Sequence, residues 1–446
     1  MNTLTIRCLF ILLLFGWQTA STQNVKHVVL ITIDGLRPEF YQDPSWGMVN
    51  LSIMAKEGVY AEGVNSVFPS STLPAHTTLV TGVTPARHGI YYNSPFIPDR
   101  SSDEWYWYYS AIKAPTLWQA VETAGMQTAS VNWPVAVGSP ITYNVPVIKK
   151  KGVTQLAVTI PHITPPQLFE KIEAEATGKL TNTDFSIVDD YLVQDQTMAR
   201  IGAYLIRTFK PNFITIHLTA VDHYQHKEGR DGNMVRRAVS GVDRDLRTII
   251  ESIERAGIKD STAVIVTGDH GHVNTKTSIA PNVWLSKVGL ITDIKTGAWK
   301  AQFKSAGGSA FLHLKDAADK VTLNKVKETI SALPDSVKSL FKVIDVAEFK
   351  LSGGDPNAVL ALGATPGISF SGSLTGEVFQ PAGGSTHGHL PDFKEIQTGF
   401  VAYGRGIKKA AVVKQMNLTD IAPLVARLLG IKFLDVENKL AETIME

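Results

Sequence analysis

Two patterns alternate along this chain: short runs rich in Val, Ile, Leu and Thr that close on polar residues or glycine, and longer amphipathic segments. The short runs mark strands buried on both faces, and the longer segments mark helices with one apolar side. Strands are predicted at 27–33 (HVVLITI), 128–133 (TASVNW), 212–218 (NFITIHL), 262–268 (TAVIVTG) and 399–404 (GFVAYG). Helices are predicted at 115–125, 187–209, 233–256 and 418–430; the third opens after Asp231-Gly232 and closes at Gly257, which is suitable capping chemistry. Strand–helix alternation of this kind predicts a parallel sheet flanked by helices.

One stretch breaks the alternation. Residues 274–380 are mixed, rich in Gly, Pro and Lys, with several short strand-like runs. They predict an inserted α+β subdomain that divides the core into 23–273 and 381–446. At the amino end, Arg7 precedes the apolar run CLFILLLFGW, and small residues follow around Ala20. That is the pattern of a secretory signal, predicted over 1–22, and the run is too short to span a bilayer comfortably. An amino-terminal anchor is the alternative.

Composition narrows the picture further. Cys8 is the only cysteine and lies inside the signal-like segment, so disulfides, thiolate metal sites and a catalytic cysteine are excluded after cleavage. An exported protein without disulfides fits a bacterial periplasm, and without a second long apolar run no membrane association is expected. A chain of 446 residues, 44% hydrophobic, can bury a large core, and a formal charge of +2 with no long basic run gives no electrostatic footprint for nucleic acid. Oligomeric state leaves no signal in the sequence.

In doubly wound sheets, functional side chains gather at the carboxyl ends of strands. Here HVVLITI ends in Asp34, NFITIHL leads to Asp222 and His226, TAVIVTG leads to Asp269 and His270, and GGSTHGH supplies His387 further on. Imidazole and carboxylate together suit zinc and related divalent ions. Two such ions about 4 Å apart can activate a nucleophile and stabilise a leaving oxygen. These six ligands, with one hydroxyl, would leave positions open for substrate. The segment VFPSSTLPAHTTLVTG (67–82) supplies the hydroxyl at a turn before a helix-like run, where backbone N–H groups favour anions. By spacing alone, Ser70, Ser71 and Thr72 are equivalent.

The motifs TIDGLRPEF, FPSSTLPAHTTLVTG, HGIYYN, DHYQH, DHGH and THGH, in this order, resemble the nucleotide pyrophosphatase/phosphodiesterase branch of the alkaline phosphatase superfamily. The resemblance runs from about residue 27 to 431. It implies an α/β fold with a central mixed, largely parallel sheet sandwiched between helices, and a smaller inserted region beside the metals. It also implies hydrolysis of a small-molecule phosphate ester through a phospho-threonine on Thr72. Asp34, Thr72, Asp269 and His270 match the ligands of one zinc, and Asp222, His226 and His387 those of the other. Asn93 matches the asparagine that holds a non-bridging phosphoryl oxygen. Three positions depart from the family pattern: Leu73 stands where an aromatic is usual, Ala75 where an asparagine is usual, and Gln225 where a glycine is usual.

Alternatives on the same scaffold are a phosphomonoesterase and a phosphonate hydrolase; from another class, a silent metal-binding protein. A sulfatase is disfavoured, because Thr72-Leu-Pro-Ala-His lacks the C/S-x-P-x-R pattern. Beside the main set, His223, His272 and His389 read as supports of the ligands, and His76 as a packing or capping residue near the hydroxyl. The aromatic run 105–109 lines a cleft or packs against the inserted region. Lys149, Lys150 and Lys151 read as a solvated loop.

Overall fold

Strand His27–Ile33 is the axis of the fold, and its side chains divide by parity. Val29, Ile31 and Ile33 enter one apolar cluster while Val28 and Leu30 enter another, since successive side chains of a strand leave opposite faces. Both faces are covered, which is why the run between His27 and Thr32 is apolar on both sides. The computed structural model describes residues 25–98, 104–185, 190–433 and 440–446, so the signal-like segment 1–22 and Cys8 lie outside the described residues.

Five strands run parallel in the order Thr262–Thr267, His27–Ile33, Phe213–Leu218, Thr128–Val131 and Tyr143–Val145. Phe400–Gly404 pairs antiparallel with Thr262–Thr267, and the short strands Val59–Ala61 and Ala411–Val413 complete that edge. Helices Val49–Glu57, Tyr191–Phe209 and Asn233–Arg255 bury one face. Helices Thr72–Thr81, Leu117–Thr123 and Ile421–Leu429 bury the other. The protein is thus a mixed α/β sandwich with a largely parallel central sheet.

Differences from the sequence reading are local. The strand predicted to reach residue 133 stops at Val131, because Asn132 takes a positive φ of 58° and leaves the sheet. The helix predicted from 418 begins as a 3-10 turn, Leu418–Asp420, with a capping box at Asn417. The start predicted for the 187–209 helix falls outside the described residues; Asp190 caps the helix Tyr191–Phe209 by accepting from the Leu192 amide.

Residues 301–364 carry a second, antiparallel sheet, ordered Ala301–Ser305, Ser309–Leu314, Leu360–Ala364, Phe341–Ile344. Phe303, Leu312, Val326 and Leu362 belong to its own apolar cluster. Strand Val273–Ile279 joins the two regions. It starts directly after His272 and pairs with Gly367–Phe370, Phe379–Pro381 and Ser385–Thr386. No helix among the described residues is long and apolar enough to cross a membrane.

Candidate metal centre and cleft

Three parallel strands end side by side, with Ile33 opposite Leu218 and Thr32 opposite Thr267. Asp34 follows the first. Asp269 and His270 follow the third. After the second, helix Ala220–Glu228 carries Asp222 and His226 one turn apart on the same side. The helix Thr72–Thr81 begins at Thr72, with Ser71 as its N-cap, and His387 arrives on the loop after Ser385–Thr386. Of the three adjacent hydroxyls, Ser70 donates to the His389 carbonyl, whereas Thr72 places its Oγ1 beside His270.

The donor atoms converge without protons to separate them. His270 Nε2 lies 3.5 Å from Asp34 Oδ1, 3.2 Å from Asp269 Oδ2 and 3.4 Å from Thr72 Oγ1. Its Nδ1 is 3.2 Å from the Gly271 carbonyl, to which it can only donate, so Nε2 of the neutral ring is a bare lone pair. Asp34 Oδ1 and Asp269 Oδ2 are buried and find no hydrogen-bond donor among the described residues. Lone pairs facing one another in this way repel unless a cation lies between them. A tetrahedral zinc with bonds of 2.0–2.1 Å sets its ligands about 3.3 Å apart, which is the spacing seen here. These residues fit a divalent cation.

The predicted second set is less closely gathered: Asp222 and His226 group with His272, and Asp222 and His387 with His270, rather than Asp222, His226 and His387 as one group. His226 Nδ1 donates to the Ser385 carbonyl at 2.9 Å and His387 Nδ1 to the Ser70 carbonyl at 3.0 Å, leaving both Nε2 atoms bare. His226 Nε2 is 3.3 Å from Asp222 Oδ1. Ligand atoms of Asp222, His270 and His387 also lie within 4.8 Å of one another, so the two sets adjoin. His272 differs from these. Its Nε2 sits 2.7 Å from Asp222 Oδ1, closer than two ligands of one tetrahedral ion, while Nδ1 is 3.0 Å from Ser385 Oγ. It holds Asp222 by a hydrogen bond.

Charge accumulates here on side chains that are mostly buried, Asp222 being partly and His226 more fully in reach of solvent. Burial, then the carboxylates of Asp222 and Asp269, push the Asp34 carboxyl well above its ordinary range. Burial alone would raise Asp222 as well, but the imidazoles of His226, His272 and His387 hold it well below. His270 and His387 are driven well below the usual imidazole range, chiefly by burial, and are therefore neutral, the form that binds metals.

Two of the supports, His217 and Asp195, are not singled out in the sequence, whereas His76 reads there as a packing or capping residue and is one. His217, inside the apolar strand FITIHL, puts Nε2 3.2 Å from Asp34 Oδ2. Asp195, on the helix Tyr191–Phe209, accepts from the Thr219 and Ala220 amides at 2.8–2.9 Å and so caps the helix that carries Asp222. His76 donates from Nδ1 to the Thr72 carbonyl at 2.8 Å, and its Nε2 is 2.9 Å from Thr32 Oγ1; it pins the first turn of the Thr72 helix to the central strand. Gln225, where the family has glycine, donates to the Gly35 carbonyl at 2.9 Å and ties the Asp34 loop to the Asp222 helix. A side chain at Gly384 or Gly388, both at positive φ, would collide with the carbonyls of His226 and Ala306, so the His387 loop is wedged backbone against backbone. His389 turns away to the Ile368 carbonyl, and His223 stacks on Tyr191 with ring centres 3.7 Å apart.

A cleft of about 320 Å³ opens over this floor, lined among others by Thr72, Asn93, Trp105, Trp107, Lys149 and His226. Asn93 Oδ1 accepts from the Leu73 amide at 2.9 Å, which leaves Nδ2 to donate elsewhere. Leu73 is buried against Ile90 and Val135, apart from the edge it gives the cleft. The reading of the lysine run as solvated holds for Lys150 and Lys151, which are exposed, and fails for Lys149, which is half-buried in the cleft wall. The chain reverses at this point through a bridge between Lys150 and Val153, which separates the three side chains.

Residues 28–359 match the family described as type I phosphodiesterase/nucleotide pyrophosphatase. The chain is 28% identical over 274 residues to ectonucleotide pyrophosphatase/phosphodiesterase family member 7 of Mus musculus, covering 58% of this chain and 53% of that protein. It spans about half the length of the curated relatives it matches. Human ectonucleotide pyrophosphatase/phosphodiesterase 5 has a similar structure, with a TM-score of 0.66 at 18% identity, over 94% of this chain and 99% of that one. The murine counterpart, an inactive form in complex with AMP, gives 0.63 at 19% identity over 94% and 100%. At these identities the structural likeness is one of fold.

Proposed function

The chain belongs to the type I phosphodiesterase/nucleotide pyrophosphatase family, and from that membership we propose that it hydrolyses phosphodiester or pyrophosphate bonds of small molecules, with Thr72 as nucleophile beside two divalent cations, zinc by donor chemistry. Asp34, Thr72, Asp269 and His270 would hold one ion, and Asp222, His226 and His387 the other. Bound there, the ions supply positive charge that lowers the pKa of the threonine hydroxyl and offsets charge on the phosphoryl oxygens. Thr72 Oγ1 attacks phosphorus in line: the new P–O bond forms as the bond to the leaving oxygen breaks, giving a phospho-threonine. Water then attacks the same phosphorus and Thr72 departs. Asn93 donates from Nδ2 to a non-bridging oxygen, and the helix beginning at Thr72 turns its amino end toward the anion.

The observation that carries this reading is the meeting of Thr72 Oγ1, Asp34 Oδ1 and Asp269 Oδ2 around the bare Nε2 of His270, each 3.2–3.5 Å from it. Zinc-loaded protein is expected to prefer bis(4-nitrophenyl) phosphate over 4-nitrophenyl phosphate. The reverse preference would turn the reading toward a phosphomonoesterase. Residues 274–380 are read as a subdomain inserted between core segments 23–273 and 381–446. Export, to a bacterial periplasm, is part of the proposal; the apolar run after Arg7 and the absence of cysteine beyond Cys8 support it.

A further inference from the structure

The cleft holds a cation that the chemistry above does not use. Lys149 is half-buried in the wall, and its Nζ lies 5.4 Å from the ring centre of Trp105. No carboxylate among the described residues forms an ion pair with it; the acidic group that acts on it is Asp34, on the floor. Its own charge is felt in turn by His217 and His223. Trp105 stacks on Trp107 with ring centres 5.6 Å apart and planes 17° from parallel, so the ammonium stands over an aromatic shelf. Trp107 is fixed from behind by Val137 and Ile148.

An ammonium drawn partly out of water without an anion is costly, and burial pulls this one down to about 8. It still carries its charge at neutral pH. Trp105 offsets part of the cost through its ring face. An anion seated beside Nζ would offset much more, and the cleft leads from Thr72 to that point.

Resting on the hydrolase reading, we propose that Lys149, with Trp105 and Trp107, forms a subsite that selects phosphodiesters whose second substituent bears an anionic group of its own, a carboxylate or a further phosphate. The shelf takes the apolar or aromatic body of that substituent and Lys149 its charge.

Two esters that release the same nitrophenolate test this: 4-nitrophenyl phenyl phosphate and its analogue with a carboxylate on the phenyl ring. On zinc-loaded protein the kcat/KM ratio, carboxylated over plain, is expected to fall roughly tenfold or more in Lys149→Gln and to be kept in Lys149→Arg, since a charge-assisted contact is removed in one and retained in the other. A ratio within about twofold of wild type in Lys149→Gln overturns the subsite. So does a loss confined to 4-nitrophenyl phosphate, which would assign Lys149 to the scissile phosphoryl group. Calorimetric binding of both esters to zinc-loaded Thr72→Ala and Thr72→Ala/Lys149→Gln separates this proposal from the reading beneath it. An affinity gap present in the first and absent in the second upholds the subsite even where wild type turns over neither ester, a result that would reject hydrolysis alone. No gap rejects the subsite.

Discussion

The floor of the cleft and its wall follow opposite rules of construction. On the floor, side chains are held at both ends: His226 and His387 are each fixed through Nδ1 by a carbonyl, and Asp222 by His272, which leans in turn on Ser385. Asp34, Asp222, His226, Asp269 and His270 follow strands buried on both faces, while Thr72 opens a helix and His387 stands on a loop. The wall comes from irregular segments, around 105–107 and 147–149, joined by ring stacking and apolar contact. A group fixed at both ends cannot relax when a neighbour changes, whereas a stacked ring can shift. On the proposed function, reaction chemistry and substrate choice are therefore expected to be separable here.

Substitution on the floor tests this most severely. Thr72→Ala is expected to cut turnover by several orders of magnitude while bound zinc stays close to wild type; an unchanged rate rejects Thr72 as nucleophile. Chelation comes next. It should abolish activity, zinc should restore it, and the chelated protein should melt at lower temperature, because ions bound only by the folded state stabilise it. A fully active, verified metal-free preparation would contradict the floor as described. His272→Asn should weaken zinc binding about 10- to 100-fold, as loss of a support behind a ligand does; a zinc titration that matches wild type removes His272 from the floor.

On the wall, effects shrink. Trp105→Ala is expected to raise KM by less than about tenfold with kcat held, the mark of binding lost equally from ground and transition states. A collapse of kcat would show that floor and wall are one unit. The smallest effect lies outside both regions. His88 is fully buried, with Nδ1 accepting from the Ile90 amide and Nε2 facing Thr78 Oγ1, and burial pulls its pKa down to about 3. Its folded value is lower than its unfolded one, so the stability it contributes is present above about pH 6.5 and is lost as the pH falls toward 3. His88→Gln should flatten part of that slope in thermal melts of the metal-free protein, and an identical slope would place the acid sensitivity elsewhere.

Much of the frame was legible in the sequence because burial on two faces leaves a plain trace. Strand His27–Ile33 and helix Asn233–Arg255 match their predicted spans to within a residue. The grouping of Asp34, Asp222, Asp269 and His270 was legible because they follow strand ends, where chain order and spatial order coincide, whereas spacing alone did not separate Thr72 from Ser70 and Ser71. What escaped was set by tertiary contact. His217 reads as one polar letter in an apolar strand, and nothing local says that it faces Asp34. Asp195 sits mid-helix, and its role depends on a loop more than twenty residues away. Lys149 is indistinguishable from Lys150 and Lys151 until the chain turns between them. The three-residue strands Val59–Ala61 and Ala411–Val413 are too short for a period to register.

The wedge that seats His387 has a consequence for biogenesis. A chain that emerges amino end first presents Asp34, Asp222 and Asp269 long before His387, whose loop has no fixed seat until Ala306 and the segment around it are in place. On the proposed ligand set, completion of the second cation site would therefore wait until residue 387 has been made and the segment around Ala306 is in place. A product terminated before residue 387 would lack that imidazole, and with it the proposed second ion.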